Sequence, residues 1–388
     1  MTNKPQFVGE RETVKLSEIA KIKAGNVAPK KDAFTKDGIP FVRAGSLTNL
    51  LAGGSLADLE KIDGGTAQKL HLTLFPAGTV VFAKSGMSCM TGNVYVLPKP
   101  CYVVSHLACV IPNGNYASYL KHYFRFNRPN RLIENPSFPS IKLSKIQGIK
   151  LKLPSPEKGV RQVQALERIE SQIGQAKALL TYLDSLVKSR FVEMFGNPTE
   201  ANKQAWSYSR LGDLLLIERG GSPRPIKSFL TNDSRGINWI KIGDATDGSK
   251  FITGTKEKIK KEGVRFSRMV HKGDFLLSNS MSFGRPYILD IEGCIHDGWL
   301  VLRDEQGQFD SLWLYEALSS QAVYEAFKQR VRGGVVNNLN KDLVSSVTLI
   351  VPPLALQQEF AAFVSQVDKL RFEACYAMYL LCAAFTLL

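Results

Sequence analysis

Two groups of polar residues, 195 positions apart, are the first candidates for chemistry in this chain. Lys84, Ser85 and Ser88 lie in GTVVFAKSGMSCMTGNVYVL, Gly78 to Leu97. Asn279, Ser280, Ser282 and Arg285 lie in GDFLLSNSMSFGRPYILD, Gly273 to Asp290. Hydroxyl and amide groups can donate to or accept from base edges, and a guanidinium can pair with guanine through two bonds. The same residues also suit plain hairpin turns, because Ser, Gly and Asn favour turns without any ligand.

Cations accompany both groups. YASYLKHYFRFNRPNR, Tyr116 to Arg131, interleaves aromatics with Lys121, Arg125, Arg128 and Arg131. Such a segment can lie along phosphates. It can equally be an amphipathic helix with its aromatics inward and its basic face in water. Lys328, Arg330 and Arg332, beside Gly333 and Gly334, form the corresponding patch late in the chain. Arg43 and Lys241 occupy matched positions, where a solvated charge at a strand end is the plainer account.

No catalytic set emerges, and no metal site is expected. Asn135-Pro136-Ser137-Phe138 approaches the Asn-Pro-Pro-Tyr/Phe motif of adenine methyltransferases but carries Ser in place of the second Pro. Ser185 and Lys188 fit S-x-x-K but fall inside a long helical pattern without companion motifs. GDATDGSK, Gly243 to Lys250, lacks the Gly-Lys step of a phosphate loop. His106 and His296-Asp297 read as core or turn residues. The six cysteines form no CxxC pair, which fits reduced thiols in a cytoplasmic protein.

These side chains must be positioned by more than one body. A chain of 388 residues is long for one core. Its net charge is +15, with a pI near 9.5. Residues 1–153 carry 21 Lys and Arg against 9 Asp and Glu, a net of +12; residues 196–353 carry 21 against 18. A field of that sign points to a polyanion, and nucleic acid is the usual one. The polar N-terminus has no apolar signal core, and the apolar tail from Tyr376 to Leu388 is shorter than the roughly 20 residues of a membrane span.

The positive segments are two copies of one pattern. VKLSEIAKIKAG (from Val14) matches SRLGDLLLIERG (from Ser209), so that Gly25 falls on Gly220. GIPFVRAGS (from Gly38) matches GINWIKIGD (from Gly236), and IKLSKIQGIKLKLPSP (from Ile141) matches LNKDLVSSVTLIVPPL (from Leu339). The offset drifts only from 195 to 198, as loop insertions would give. Strands are expected at FVRAG, TVVFAK, NVYVL, VVSHLACVI and GIKLKL, and again at NWIKIG, DFLLSN, PYILDI and GWLVLR. A helix is expected late in each copy, over Ala117–Asn127 and Ser311–Val331. Each copy is therefore mixed α and β.

Between and after the copies the periodicity changes. Ser155 is suited to cap a helix that begins at Pro156, and Gly196-Asn197-Pro198 ends it. Ile169, Ile173, Leu180, Leu183 and Val187 space mostly by four and three, a heptad-like seam. At ~1.5 Å per residue the helix spans roughly 58 Å, long enough to call for a partner helix. PPLALQQEFAAFVSQVDKLRFEA, from Pro352, supplies one, with Phe360, Val364 and Val367 on its apolar face.

The order unit, helix, unit, helix resembles the specificity subunit of type I restriction-modification systems. The resemblance covers nearly the whole chain and rests on SRFVEMFGNP, VPPLALQQEF, GGVVNNLNKDL and GDFLLSNSMSFGRP. It implies an α+β fold with two target recognition domains, residues 1–153 and 197–352. Two long antiparallel coiled-coil-like helices, 154–196 and 353–388, would separate them. It also implies a non-catalytic subunit that reads a split double-stranded DNA sequence, one half per domain. Methyltransferase and restriction (motor-nuclease) subunits would bind to it and hold the S-adenosylmethionine, ATP and Mg. The family's second helix usually stays charged, whereas ACYAMYLLCAAFTLL, after Glu373, has no charge. Two other readings remain open: a DNA-binding adaptor or inactive truncated paralogue, and a free-standing DNA-modifying enzyme.

Overall fold

Val80, Val81, Phe82 and Ala83 are all buried, so the strand they form has no solvent face. In the computed structural model it lies inside an antiparallel sheet ordered Ala20–Ala24, Leu107–Pro112, Val80–Ala83, Val94–Val96. A second sheet runs Lys61–Ile62, Ile39–Val42, Tyr102–Val103, and its last pairing is parallel. Thr13–Lys15 pairs with Lys150–Lys152 and ties the start of the repeat to its end. The structure describes residues 13–114, 116–201, 206–246, 248–279, 283–331 and 338–387. They divide into two units, one ending at Ile173 and including residues from Leu381, the other Gly174–Leu380.

The second unit repeats this topology pair by pair. Leu216–Arg219, Trp299–Arg303, Phe275–Ser278 and Pro286–Leu289 form the antiparallel sheet, extended by a parallel edge strand, Phe251–Ile252. The companion sheet runs Leu230–Thr231, Glu257–Ile259, Ile237–Ile240, Gly293–Ile295, Arg268–Val270. Trp239 pairs in parallel with Cys294, as Phe41 does with Tyr102. Ser207–Arg210 pairs with Thr348–Val351, the counterpart of the first unit's end-to-end tie.

Pro156–Phe195 is one helix of 40 residues. Gly159 N–H donates to the Ser155 carbonyl at 2.8 Å, which closes the first turn. At the other end Gly196 has φ of 70°, the left-handed conformation that lets glycine stop a helix. The second long helix is Leu354–Leu387. Its first turn is fixed by a fully buried glutamine. Gln357 Oε1 accepts from Asp310 N–H at 2.9 Å, and Nε2 donates to the Gln308 and Pro352 carbonyls at 3.0 and 2.8 Å. Every polar atom of that side chain is engaged, which is the condition for burying it.

Within the second unit the two helices run antiparallel. Arg190 pairs with Glu359 and Asp184 with Arg371, so one number rises as the other falls. Their shared face buries Leu183 and Val187 with Phe360, Val364 and Val367. Phe191 and Phe195 continue that face and meet Trp313 and Phe360 with ring centroids 5.5 to 6.0 Å apart. Ile169, Ile173 and Leu180 are only half-buried.

Leu183 and Val187 of the heptad-like seam are buried against the second long helix, and the buried stripe continues through Phe191 and Phe195. Two expectations need correction. The segment VVSHLACVI is not one strand: it turns at Ser105 and His106, and its halves join different sheets. The expected helix over Ser311–Val331 breaks at Ser320, which is extended with ψ of 149°, into Ser311–Ser319 and Gln321–Val331. Ser320 Oγ accepts from Val323 N–H at 3.3 Å and restarts the helix as a cap. The uncharged tail after Glu373 continues the second helix, with Tyr376 56% and Tyr379 68% exposed. Among the described residues no helix is long and apolar enough to cross a membrane.

Candidate nucleic-acid interface

Each unit ends its central strand in the same way. In the first, Lys84 N–H donates to the His106 carbonyl at 2.9 Å, and the Lys84 carbonyl accepts from Ile141 N–H at 2.7 Å. In the second, Asn279 N–H donates to the Gly298 carbonyl at 3.0 Å, and the Asn279 carbonyl accepts from Leu339 N–H at 2.8 Å. The same two backbone bonds therefore fix the end of each central strand, where its polar loop begins.

In the first unit the loop is held on two further sides. Ser85 Oγ and His106 Nδ1 are hydrogen-bonded at 2.9 Å. Gly86, with φ of 77°, donates its N–H to the Pro139 carbonyl at 3.1 Å. Asn130 Nδ2 donates to the Met90 carbonyl at 3.0 Å, which brings the Pro129–Leu132 turn against the loop. Lys84, Ser85 and Ser88 are half-buried, and Arg128 and Arg131 are exposed. Among the described residues no ion pair engages Lys84, Arg128 or Arg131.

The second tip borders a hollow of about 1200 Å³. Arg219, Arg224, Lys227 and Lys241 line it beside His296 and Asp297. Asp297 accepts from Ser222 Oγ at 2.7 Å and sits 3.1 Å from His296 Nε2. Gly298 N–H donates to His296 Nδ1 at 2.8 Å, which turns Nε2 toward Asp297. Burial alone would raise Asp297, but the Ser222 hydrogen bond, with His296 and Arg219 nearby, holds its carboxyl below the ordinary range. The carboxylate also lies 3.8 Å from Arg224, so it orders a wall of the hollow that carries cations beside apolar Ile226, Leu230 and Trp239.

Several sequence candidates are engaged by partners within the chain. Lys121 and Arg125 turn to Glu170 on the first long helix, so they fasten the Ala117–Phe126 helix to it. Buried His122 faces the same carboxylate at 3.7 Å; desolvation outweighs that attraction and holds the imidazole below its ordinary range. Arg43 pairs with Glu60 at 2.7 Å and lies over Phe34 and Phe41. Lys241 pairs with Glu257 at 2.7 Å. Asn279 is 4% exposed, and its Nδ2 donates to the Asp297 carbonyl at 2.9 Å. The Arg285 guanidinium lies over Tyr287, and Arg330 bonds Ser346 Oγ at 3.0 Å. Ser280, Ser282 and Arg332 lie outside the described residues. Sequence reasoning missed Arg219, Arg224 and Lys227, which follow one another from the end of strand Leu216–Arg219 through a Pro-rich segment into the Ile226–Phe229 turn of helix and line the hollow together. Among the described residues no group of three or more His, Cys, Asp or Glu could hold a metal ion.

Two copies of one mixed α/β body, each fixing the end of its central strand with the same backbone bonds and each followed by a long helix, define a tandem recognition protein. The sequence pattern described as the type I restriction modification DNA specificity domain matches residues 9–181 and 203–374. The chain belongs to that family, with one copy over each repeat. It is 23% identical over 267 residues to the type I restriction enzyme MjaIX specificity subunit of Methanocaldococcus jannaschii, covering 61% of this chain and 60% of that relative. The match thus spans less than two thirds of the relative's length. Two solved structures share the fold. One is the type I restriction-modification S subunit from M. genitalium, at a TM-score of 0.59 and 12% identity, covering 99% of this chain and 97% of that one. The other, from work on complex assembly and conformational transition of the type I system, gives 0.60 and 18%, covering 98% and 97%.

Proposed function

We propose that this chain reads a bipartite double-stranded DNA target, one half per unit, and recruits methyltransferase and restriction subunits to it. The observation that carries the reading is the duplicated tip: Lys84 and Asn279 leave matched strands on matched hydrogen bonds, each among cations. Phosphate contacts would set register and base-edge contacts would set sequence. The two tips differ in side chains, so the two half-sites differ and the target is not a palindrome. Adenine methylation, with the base drawn out of the stack, belongs to the partner subunits, as do cleavage and the S-adenosylmethionine, ATP and Mg they require. The faces of the long helices turned away from the units would bind those partners. The complex would act in the cytoplasm, where its DNA is.

The test is a methylome. The chain is expressed with the methyltransferase subunit from its own source, and N6-methyladenine is mapped with and without it. A split motif with a fixed gap, present only with the chain, is expected. No motif, with a soluble methyltransferase present, would refute the reading; a palindromic motif would refute the two-half-site assignment.

A further inference from the structure

The first unit's tip carries an apolar pair that the polar reading of the loop leaves unexplained. Ser85 bridges Ser140 in antiparallel register, and Gly86 N–H reaches the Pro139 carbonyl at 3.1 Å. Met87, which opens the Met87–Thr91 turn, follows Gly86, and Phe138 precedes Pro139, so the two residues flank that hydrogen bond. Met87 is 73% exposed and Phe138 79%. Single exposed apolar residues are ordinary, but two large ones on segments joined by one hydrogen bond give the tip an apolar character.

The bracing is specific. Phe138 belongs to Asn135-Pro136-Ser137-Phe138, the segment that resembles a methyltransferase motif in sequence. Here Asn135 Oδ1 accepts from Ser137 N–H at 3.0 Å, and the Asn135 carbonyl accepts from Phe138 N–H at 3.2 Å. These bonds make a local turn that leaves Phe138 at its end. Pro139 is buried behind it. The ring is thus held in water by a fixed backbone, so little ordering would be lost on contact.

Charge says what the patch meets. Lys84 precedes Met87 by three residues in the same loop, and the turn bearing exposed Arg128 and Arg131 is pinned to that loop through Asn130. Residues 1–153 carry a net of +12. An apolar tip flanked by cations that no ion pair engages among the described residues fits a duplex, with phosphates meeting the cations and stacked bases the apolar centre. Apolar side chains of these types enter base steps in proteins that bend DNA.

We propose that Phe138 and Met87 form an apolar wedge that enters a base step of the first half-site and partly unstacks it. This rests on the DNA-reading function proposed above and assigns that unit a mode of contact.

The test uses the chain in complex with its methyltransferase subunit and a duplex bearing the motif from the methylome. Affinity is measured against salt for wild type, Phe138→Ala, Met87→Ala and the double variant, with 2-aminopurine placed in turn along the first half-site. Phe138→Ala is expected to weaken binding roughly tenfold, in the range of lost base–aromatic contacts. The slope of log K against log salt should not change, because no phosphate contact is lost. 2-Aminopurine fluorescence should rise at one step with wild type and not with the variant, while thermal melting of the free chain is unaltered. Unchanged affinity in the double variant would overturn the wedge while leaving DNA reading intact. Weakened binding without any fluorescence change in wild type would reduce it to a surface contact and also overturn it. Failure of wild type to bind the duplex would overturn both proposals together.

Discussion

Gly25 and Gly220 stand 195 positions apart and fill the same corner of their own units. Gly25 N–H donates to the Leu107 carbonyl at 3.2 Å, and Gly220 N–H to the Trp299 carbonyl at 3.0 Å. A Cβ on Gly25 would fall 2.3 Å from the Val103 and Val104 oxygens; one on Gly220 would fall 2.3 Å from the His296 oxygen. The obstacle is backbone, which cannot swing aside as a side-chain end could. Gly25→Ala and Gly220→Ala should each destabilise their unit by about 3 kcal/mol, the upper end of overpacking costs. Urea unfolding would show it; losses below about 1 kcal/mol would mean the corner yields.

Lys250 lies between two carboxylates, 3.2 Å from Glu316 and 2.9 Å from Asp368 on the second long helix. Burial raises the Glu316 carboxyl, and Lys250 is the main opposing influence. Lys250→Met leaves that carboxyl unpaired in a poorly solvated place. The expected cost is roughly 2–3 kcal/mol, somewhat below that of breaking a fully buried pair. Lys250→Met combined with Glu316→Gln should recover part of it. A double variant no more stable than the single one would show that the pair is not coupled.

His122 gives the first unit a pH dependence of definite sign. Its folded-state pKa lies below the ordinary 6.5 because burial outweighs Glu170, while Lys121 and Arg125 push the same way as burial. The unfolded chain therefore takes up a proton that the folded chain resists. Stability from this group is full above the unfolded pKa and falls as pH drops below about 6.5. Urea midpoints at pH 8 and pH 5.5 should differ more for wild type than for His122→Gln. A smaller or inverted difference in wild type would mean that the Glu170 attraction dominates.

Lys121 and Arg128 lie on the same basic stretch but should respond differently. Lys121 is paired with Glu170, so Lys121→Ala should lower stability and leave the salt slope of DNA binding alone. Arg128 is exposed and has no ion pair among the described residues, so Arg128→Ala should reduce the slope by about 0.9, one released counterion. The reverse pattern would reassign the phosphate contact to Lys121.

Phe360 joins the two long helices to the second unit through Phe191 and Phe195, and it is fully buried. Phe360→Ala should cost about 3–5 kcal/mol. Calorimetry should show a lowered transition for the second unit. An unchanged transition would place its stability in the sheets alone.

The sequence by itself determined the duplication, the mixed α/β class, the extent of the first long helix and the basic character of the first unit. Each of these is local or periodic: Gly25 and Gly220, the alternation of strands, Pro156 and Gly196 at two helix ends, a count of charges. Tertiary structure alone decided which cations are paired. Lys121, Arg125, Arg43 and Lys241 each find a carboxylate on another segment, and nothing in their own neighbourhood announces Glu170, Glu60 or Glu257. It also decided that Asn279 is buried while Phe138 stands in water. Exposure follows from where the chain crosses itself: strand Phe275–Ser278 packs its last residues under the 296–298 turn, and the Asn135–Phe138 turn is carried outward on buried Pro139. Residue type sets what a side chain can bond to, and long-range packing sets whether any bond is left to make.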